Sequence, residues 1–115
     1  SIISAIKALD ANAQVVVNGE PSNQAEYESQ VKYISGADEN GSAIYKDTQD
    51  FTWDQVSAKK AELQTDYDNK QYQRDRADAY PSIQDQLDMQ YWDSVNGTTT
   101  WADAIATVKS NNPKP

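Results

Sequence analysis

Between Trp53 and Ala79 the chain runs for 27 residues without a Gly or a Pro. Ala, Lys, Glu, Gln and Arg dominate this stretch, and all are good helix formers. As one helix it would extend roughly 40 Å at 1.5 Å per residue, more than a small domain is wide. Its start is marked by Thr52-Trp53-Asp54-Gln55, where Thr52 and Gln55 can cap each other's backbone N–H groups. Its end is marked by Tyr80-Pro81, because Pro disfavours helical geometry in the residue before it. The chain therefore divides into 1–51, 52–80 and 81–115. Trp53, Val56, Leu63, Tyr67 and Ala77 follow a seven-residue pattern, with basic Lys60, Lys70 and Arg74 between them. So narrow a stripe can support a partner helix or a copy of itself, but makes a weak coiled coil. From Asp66 to Asp78 the charges alternate in sign, which predicts a mostly solvated surface.

The first part reads as a small sheet. Ile2, Ile6 and Leu9 fall near helical spacing before Asp10-Ala11-Asn12; a short helix is preferred, with a strand as the alternative. Gln14-Val15-Val16-Val17 is a β-branched run ended by the turn pair Asn18-Gly19. Tyr27 to Ile34 alternates through Tyr27, Ser29, Val31 and Tyr33 as a second strand, Gly36 to Gly41 is expected as an exposed loop, and Ile44-Tyr45 as a short edge strand. The reading is an antiparallel sheet of two or three strands; two alone are marginal in water, so the sheet must lean on a helix or a partner.

The third part reads as a helical hairpin. Ser82 caps a helix with Asp85 three residues on, and Ile83, Leu87, Tyr91 and Val95 form one apolar face assigned to the hairpin's core. On that assignment Leu87→Asp should unfold the C-terminal helices. Asn96-Gly97 ends the helix. Thr100-Trp101-Ala102-Asp103 starts another, with Trp101, Ala104, Ile105 and Val108 turned inward, and Asn111-Asn112-Pro113 stops it. The expected fold class is α+β: a small N-terminal antiparallel sheet, one long polar helix and a C-terminal helical hairpin.

The residue inventory excludes much chemistry. There is no Cys and no His, hence no thiol nucleophile, no thiolate or imidazole zinc site and no Ser/His/Asp triad. Ten basic against eighteen acidic residues leave a net charge of −8, unsuited to a phosphate backbone, so nucleic acid is not an expected partner. No stretch approaches the ~18–20 apolar residues of a membrane span, and Ser1 to Ile6 lacks the basic start and apolar run of a signal peptide. A soluble protein is expected.

Thirteen Asp residues raise the question of an acid/base pair or a cation site. Asp85 and Asp88 are expected to face solvent opposite the Ile83/Leu87/Tyr91 stripe, where carboxylates catalyse little. Asp38-Glu39-Asn40-Gly41 has part of the look of a Ca²⁺ loop but lacks the 12-residue ligand ladder and its closing Glu. Four Gly residues form no phosphate-binding loop. The expectation is no enzyme, no catalytic residue, no cofactor and no metal. The aromatics are more telling: seven Tyr and three Trp are many for so polar a chain, and these residues dominate interfaces when partly exposed. Trp53, Tyr67, Tyr72, Tyr80, Tyr91, Trp92 and Trp101 are the candidate partner-docking residues. Trp92 and Trp101 either pack together within the hairpin or leave one ring for a partner.

Residues 71–115 carry a resemblance. Gln71-Tyr72-Gln73-Arg74-Asp75-Arg76-Ala77, then Tyr80 to Asp93 (Tyr-Pro-Ser-Ile-Gln-Asp-Gln-Leu-Asp-Met-Gln-Tyr-Trp-Asp), Trp101…Ile105…Val108-Lys109 and Asn112-Pro113-Lys114 resemble a small-protein family of tailed bacteriophages. Such proteins are common in marine and cyanobacterial phages and usually sit among tail and tail-fibre genes. Ala5-Ile6-Lys7-Ala8-Leu9, Asn12-Ala13-Gln14 and the start of the Thr52 to Leu63 helix are similar to full-length members, whereas residues 20–50 hardly match. The family pattern has Gly where this chain has Gln84, a change the first turn of a helix tolerates.

The resemblance implies a virion structural protein: a tail, baseplate or fibre-associated accessory component. It would be made in the host bacterial cytoplasm and assembled in several copies, as a homo-oligomer docked on other phage structural proteins. A tail-fibre assembly chaperone and a capsid decoration protein are the alternatives. Five of the eight net negative charges fall in residues 1–51, which marks that part as the one expected to face solvent, and the charge-balanced long helix with the aromatic hairpin as the end expected to dock.

Overall fold

The computed structural model describes all residues, 1–115. Its contacts group the chain into two compact units, Ser1–Thr65 and Asp66–Pro115. The fold is α+β, with a three-stranded antiparallel sheet, a long helical stretch and a C-terminal helical pair.

In the first unit, α1 (Ile2–Leu9) is capped by Ser1, whose hydroxyl accepts from Ser4 N, and it buries Ile2, Ala5 and Ile6 at i, i+3 and i+4. Strand β1 (Val15–Val17) follows, then α2 (Gln24–Gln30), β2 (Val31–Ala37) and β3 (Ala43–Tyr45). The strand order is β1-β2-β3, with Val15 opposite Tyr33, Val17 opposite Val31, Ile34 opposite Tyr45 and a bulge between Ile34 and Gly36. Helix α3 (Trp53–Asn69) is entered through the Thr52/Gln55 pair: Gln55 N donates to Thr52 Oγ1 at 3.1 Å and Thr52 N donates to Gln55 Oε1 at 2.9 Å. The core is Ile2, Ala5, Ile6, Ala13, Tyr27, Val31, Tyr33 and Val56, flanked by Leu9, Phe51, Trp53 and Leu63.

Two expectations are corrected here. Tyr27 to Gln30 is helix, not strand: Asn23 caps α2 by accepting from Glu26 N at 2.9 Å, and Tyr27 and Val31 bury the same side at i, i+4 spacing. The apparent alternation hid a helix-to-strand change between Gln30 and Val31. Asn18-Gly19 accordingly opens an excursion rather than a two-residue hairpin, and Asn18 N returns to Gln30 O at 2.8 Å only after α2. Gly36 and Ala37 belong to β2, and the exposed turn is shorter than expected, held by Asp38 Oδ1 accepting from Asn40 N and Ser42 N.

The stripe of the long helix is also reassigned in part. Val56 is buried, and Trp53 and Leu63 are half-buried, all against the chain's own N-terminal core. A helix partner is not needed there.

In the second unit the helical run pauses at Lys70 and continues as α4 (Gln71–Ala79). Helix α5 (Ile83–Asn96) is capped by Ser82, whose hydroxyl accepts from Asp85 N at 3.1 Å, and is closed by Gly97 at φ +67°. That left-handed position suits Gly. Helix α6 (Thr100–Asn111) then packs against both α5 and α4. Arg76 secures the α4–α6 contact, its Nε donating to Asn112 O at 2.8 Å and its Nη2 to Lys109 O at 3.3 Å. Val108 is the one buried apolar side chain of this unit.

Candidate functional site

The side of α5 that meets its neighbours is not its apolar one. Gln86, Met89 and Asp93, spaced i, i+3 and i+7, are the half-buried positions of this helix. Gln86 Nε2 donates to Pro81 O at 2.8 Å, and Gln86 Oε1 accepts from Trp101 Nε1 at 3.1 Å. Asp93 is the main polar fastening between α5 and α6. Its Oδ1 accepts from Thr98 Oγ1 at 2.6 Å, from Thr100 Oγ1 at 2.7 Å and from Thr100 N at 3.0 Å, and its Oδ2 accepts from Trp101 N at 2.9 Å. The hydroxyls of Thr98 and Thr100, with the Trp101 amide, hold the Asp93 carboxyl far below the usual carboxylate range. The carboxylate meets the first free N–H groups of α6, which α6 would otherwise leave without partners.

The predicted apolar face consequently points to solvent. Ile83 is 72% exposed, Leu87 59%, Tyr91 61% and Val95 58%, with Trp92 beside them at 53%. These side chains are therefore not the hairpin core that their spacing suggested, and the expectation that Leu87→Asp unfolds the helices is withdrawn. The reason is local: the polar network of Gln86 and Asp93 fixes the rotation of α5 about its axis, and the apolar ridge lies on another side. The ridge runs over three turns, about 18 Å. Such a contiguous exposed apolar surface is the kind that marks an interaction site.

The seven candidate docking aromatics separate clearly. Trp53 lies half-buried against Tyr27, ring centroids 5.8 Å apart, and packs on the core of the first unit. Tyr67 is exposed with the Arg74 guanidinium 3.6 Å above its ring, and Tyr72 is half-buried under Arg76 at 4.9 Å. Tyr80 is half-buried at the end of α4. Tyr91 and Trp92 meet edge to face at 5.0 Å, and both are exposed. Trp92 thus has Tyr91 as its ring partner, while Trp101, 37% exposed, is tied to Gln86 instead. On α6, Trp101, Ala102, Ile105, Ala106 and Lys109 line a shallow, almost wholly apolar hollow of about 310 Å³.

Sequence reasoning missed Ile83, Leu87 and Val95 as surface residues. The available signal was Asp93 followed by Thr98 and Thr100, a carboxylate within one loop of a helix start, which marks the side of α5 that must face α6. No group of three acidic residues is close enough together to hold a metal ion. No helix is long and apolar enough to cross a membrane. No protein-family model, curated protein or solved structure matches this chain.

Proposed function

We propose that this chain is a non-enzymatic structural component of a tailed-phage particle, a tail, baseplate or fibre-associated protein that docks through its C-terminal unit. The observation that carries the reading is the imbalance within that unit: one apolar side chain is buried while five large ones form an exposed surface on α5. Helices draw most of their stability from packing an apolar face. A hairpin that turns its apolar face outward is built to be completed by a neighbour. The tail-family likeness of residues 71–115 supplies the setting, in which the protein is made in the bacterial cytoplasm and carried into the virion in several copies.

Mass spectrometry of purified particles tests this. The chain should be present in mature virions at a fixed multiple of a tail or fibre subunit, and a Leu87→Glu variant should be depleted from them. Absence of the wild-type chain from particles overturns the reading. If it is absent yet keeps co-expressed fibre subunits soluble, the assembly-chaperone reading replaces it.

A further inference from the structure

The chemistry around the α5 ridge selects its occupant. From Ala77 to Val108 there are 32 residues without a single Lys or Arg, and five of them are Asp. Asp85 and Asp88 lie on α5, exposed and one helical turn apart; Asp88 neighbours Tyr91 and Trp92 of the ridge, and Asp85 lies further round the helix. The surface is thus both apolar and purely acidic. We infer that the occupant of the α5 ridge is an amphipathic helix of another protein, with an aliphatic stripe flanked by Lys or Arg; this inference rests on the docking role proposed above.

Three features favour that occupant. Ile83, Leu87, Tyr91 and Val95 form an i±4 row, and such rows fit the grooves between the side-chain rows of a second helix. The Asp88 carboxylate stands at the ridge's border, three and four residues before Tyr91 and Trp92, where opposite charge on a partner sets register and speeds encounter. A lipid surface does not fit, because anionic headgroups attract Lys and Arg, and α5 has neither. Nor does the α5 of a second copy supply the missing cations, since it carries none. An antiparallel α5 would bring Asp85 and Asp88 to the negative C-terminal end of its twin.

The test uses the full-length chain and two synthetic 20-residue helical peptides with the same Leu/Ile stripe, one flanked by Lys and one by Glu. Binding is read by fluorescence anisotropy of the labelled peptide. The Lys-flanked peptide should bind at least tenfold more tightly at low salt, with the gap narrowing as salt rises. Asp85→Asn with Asp88→Asn should bring the two affinities together without abolishing binding, and Leu87→Glu should abolish it at an unchanged circular dichroism spectrum. If both peptides bind the wild-type chain equally, the inferred partner charge is wrong while the docking surface stands. If neither binds and Leu87→Glu still enters particles, the docking role itself fails. If sedimentation shows a wild-type dimer that Leu87→Glu dissociates, a second copy covers the ridge and the inference is overturned.

Discussion

Asp93, in the last turn of α5, accepts a hydrogen bond from the backbone N–H of Trp101 in the first turn of α6, at 2.9 Å. The same carboxylate also takes three donors from Thr98 and Thr100. It joins the end of one helix to the start of the next across a short loop, and it fixes which side of α5 faces inward. Because these donors favour the ionised form, the Asp93 pKa in the folded chain lies below its ordinary value of 3.8. The resulting stability is present above about pH 4 and is lost as the pH falls below that.

Removing that carboxylate should therefore loosen the second unit. Asp93→Asn is expected to lower its melting temperature more than Asp85→Asn or Asp88→Asn, whose carboxylates are exposed on α5. The difference should shrink as the solution is acidified below pH 4. Thermal melts by circular dichroism at pH 7 and pH 3 check this, and equal effects of the three substitutions would count against the capping role.

Leu87→Glu should leave folding nearly untouched, within about 0.5 kcal/mol, since the side chain is mostly in solvent. Urea unfolding measures this directly. A loss of several kcal/mol would return Leu87 to the core that its spacing alone suggested.

In the first unit, the Tyr27 hydroxyl lies 2.6 Å from the Tyr33 hydroxyl and donates to Phe51 O at 2.6 Å. Tyr27→Phe should cost about 1–3 kcal/mol, because Phe51 O and the buried Tyr33 hydroxyl both lose a partner. Burial and the neighbouring Tyr33 hydroxyl push the Tyr27 pKa well above its usual 10. A raised pKa gives stability that is intact below pH 10 and declines as the pH climbs beyond it, so alkali should unfold this unit. Unfolding at pH 11 followed by near-ultraviolet dichroism tests the pair, and Tyr27→Phe should blunt the transition.

Gly19 sits at φ +121°, and a Cβ there would come 2.7 Å from Gln30 Oε1, a buried oxygen without a hydrogen-bond partner. Gly97, at φ +67°, has nothing within 4 Å of its virtual Cβ. Gly19→Ala should then cost more than Gly97→Ala, whose penalty is conformational alone at about 1 kcal/mol. Paired denaturant titrations decide it, and a smaller loss at Gly19 would contradict the backbone argument.

Local signals carried most of the fold. The caps at Thr52 and Ser82, the break at Pro81, the stop at Gly97 and the valine strand are all read from neighbours in sequence, and each involves contacts of a few residues. What failed was long-range or degenerate. Tyr27 and Val31 satisfy both a strand alternation and a helical i, i+4 spacing, and only the Asn23 cap decides between them. The candidate site was half legible: the spacing of Ile83, Leu87, Tyr91 and Val95 identified a face but not which way it turns. That direction is set by polar side chains of α5 toward α6, and an apolar-periodicity argument assigns such residues to solvent.

The absence of Lys and Arg between Arg76 and Lys109 has a practical side. Trypsin has no bond to cut within α5, the following loop or α6 before Lys109, so complete digestion releases α5, the loop and α6 as far as Lys109 in one peptide of 33 residues, Ala77 to Lys109. Resistance to trypsin there will report sequence rather than order, and proteolytic footprinting of the docked state needs chymotrypsin, for which exposed Leu87, Tyr91 and Trp92 are the natural targets.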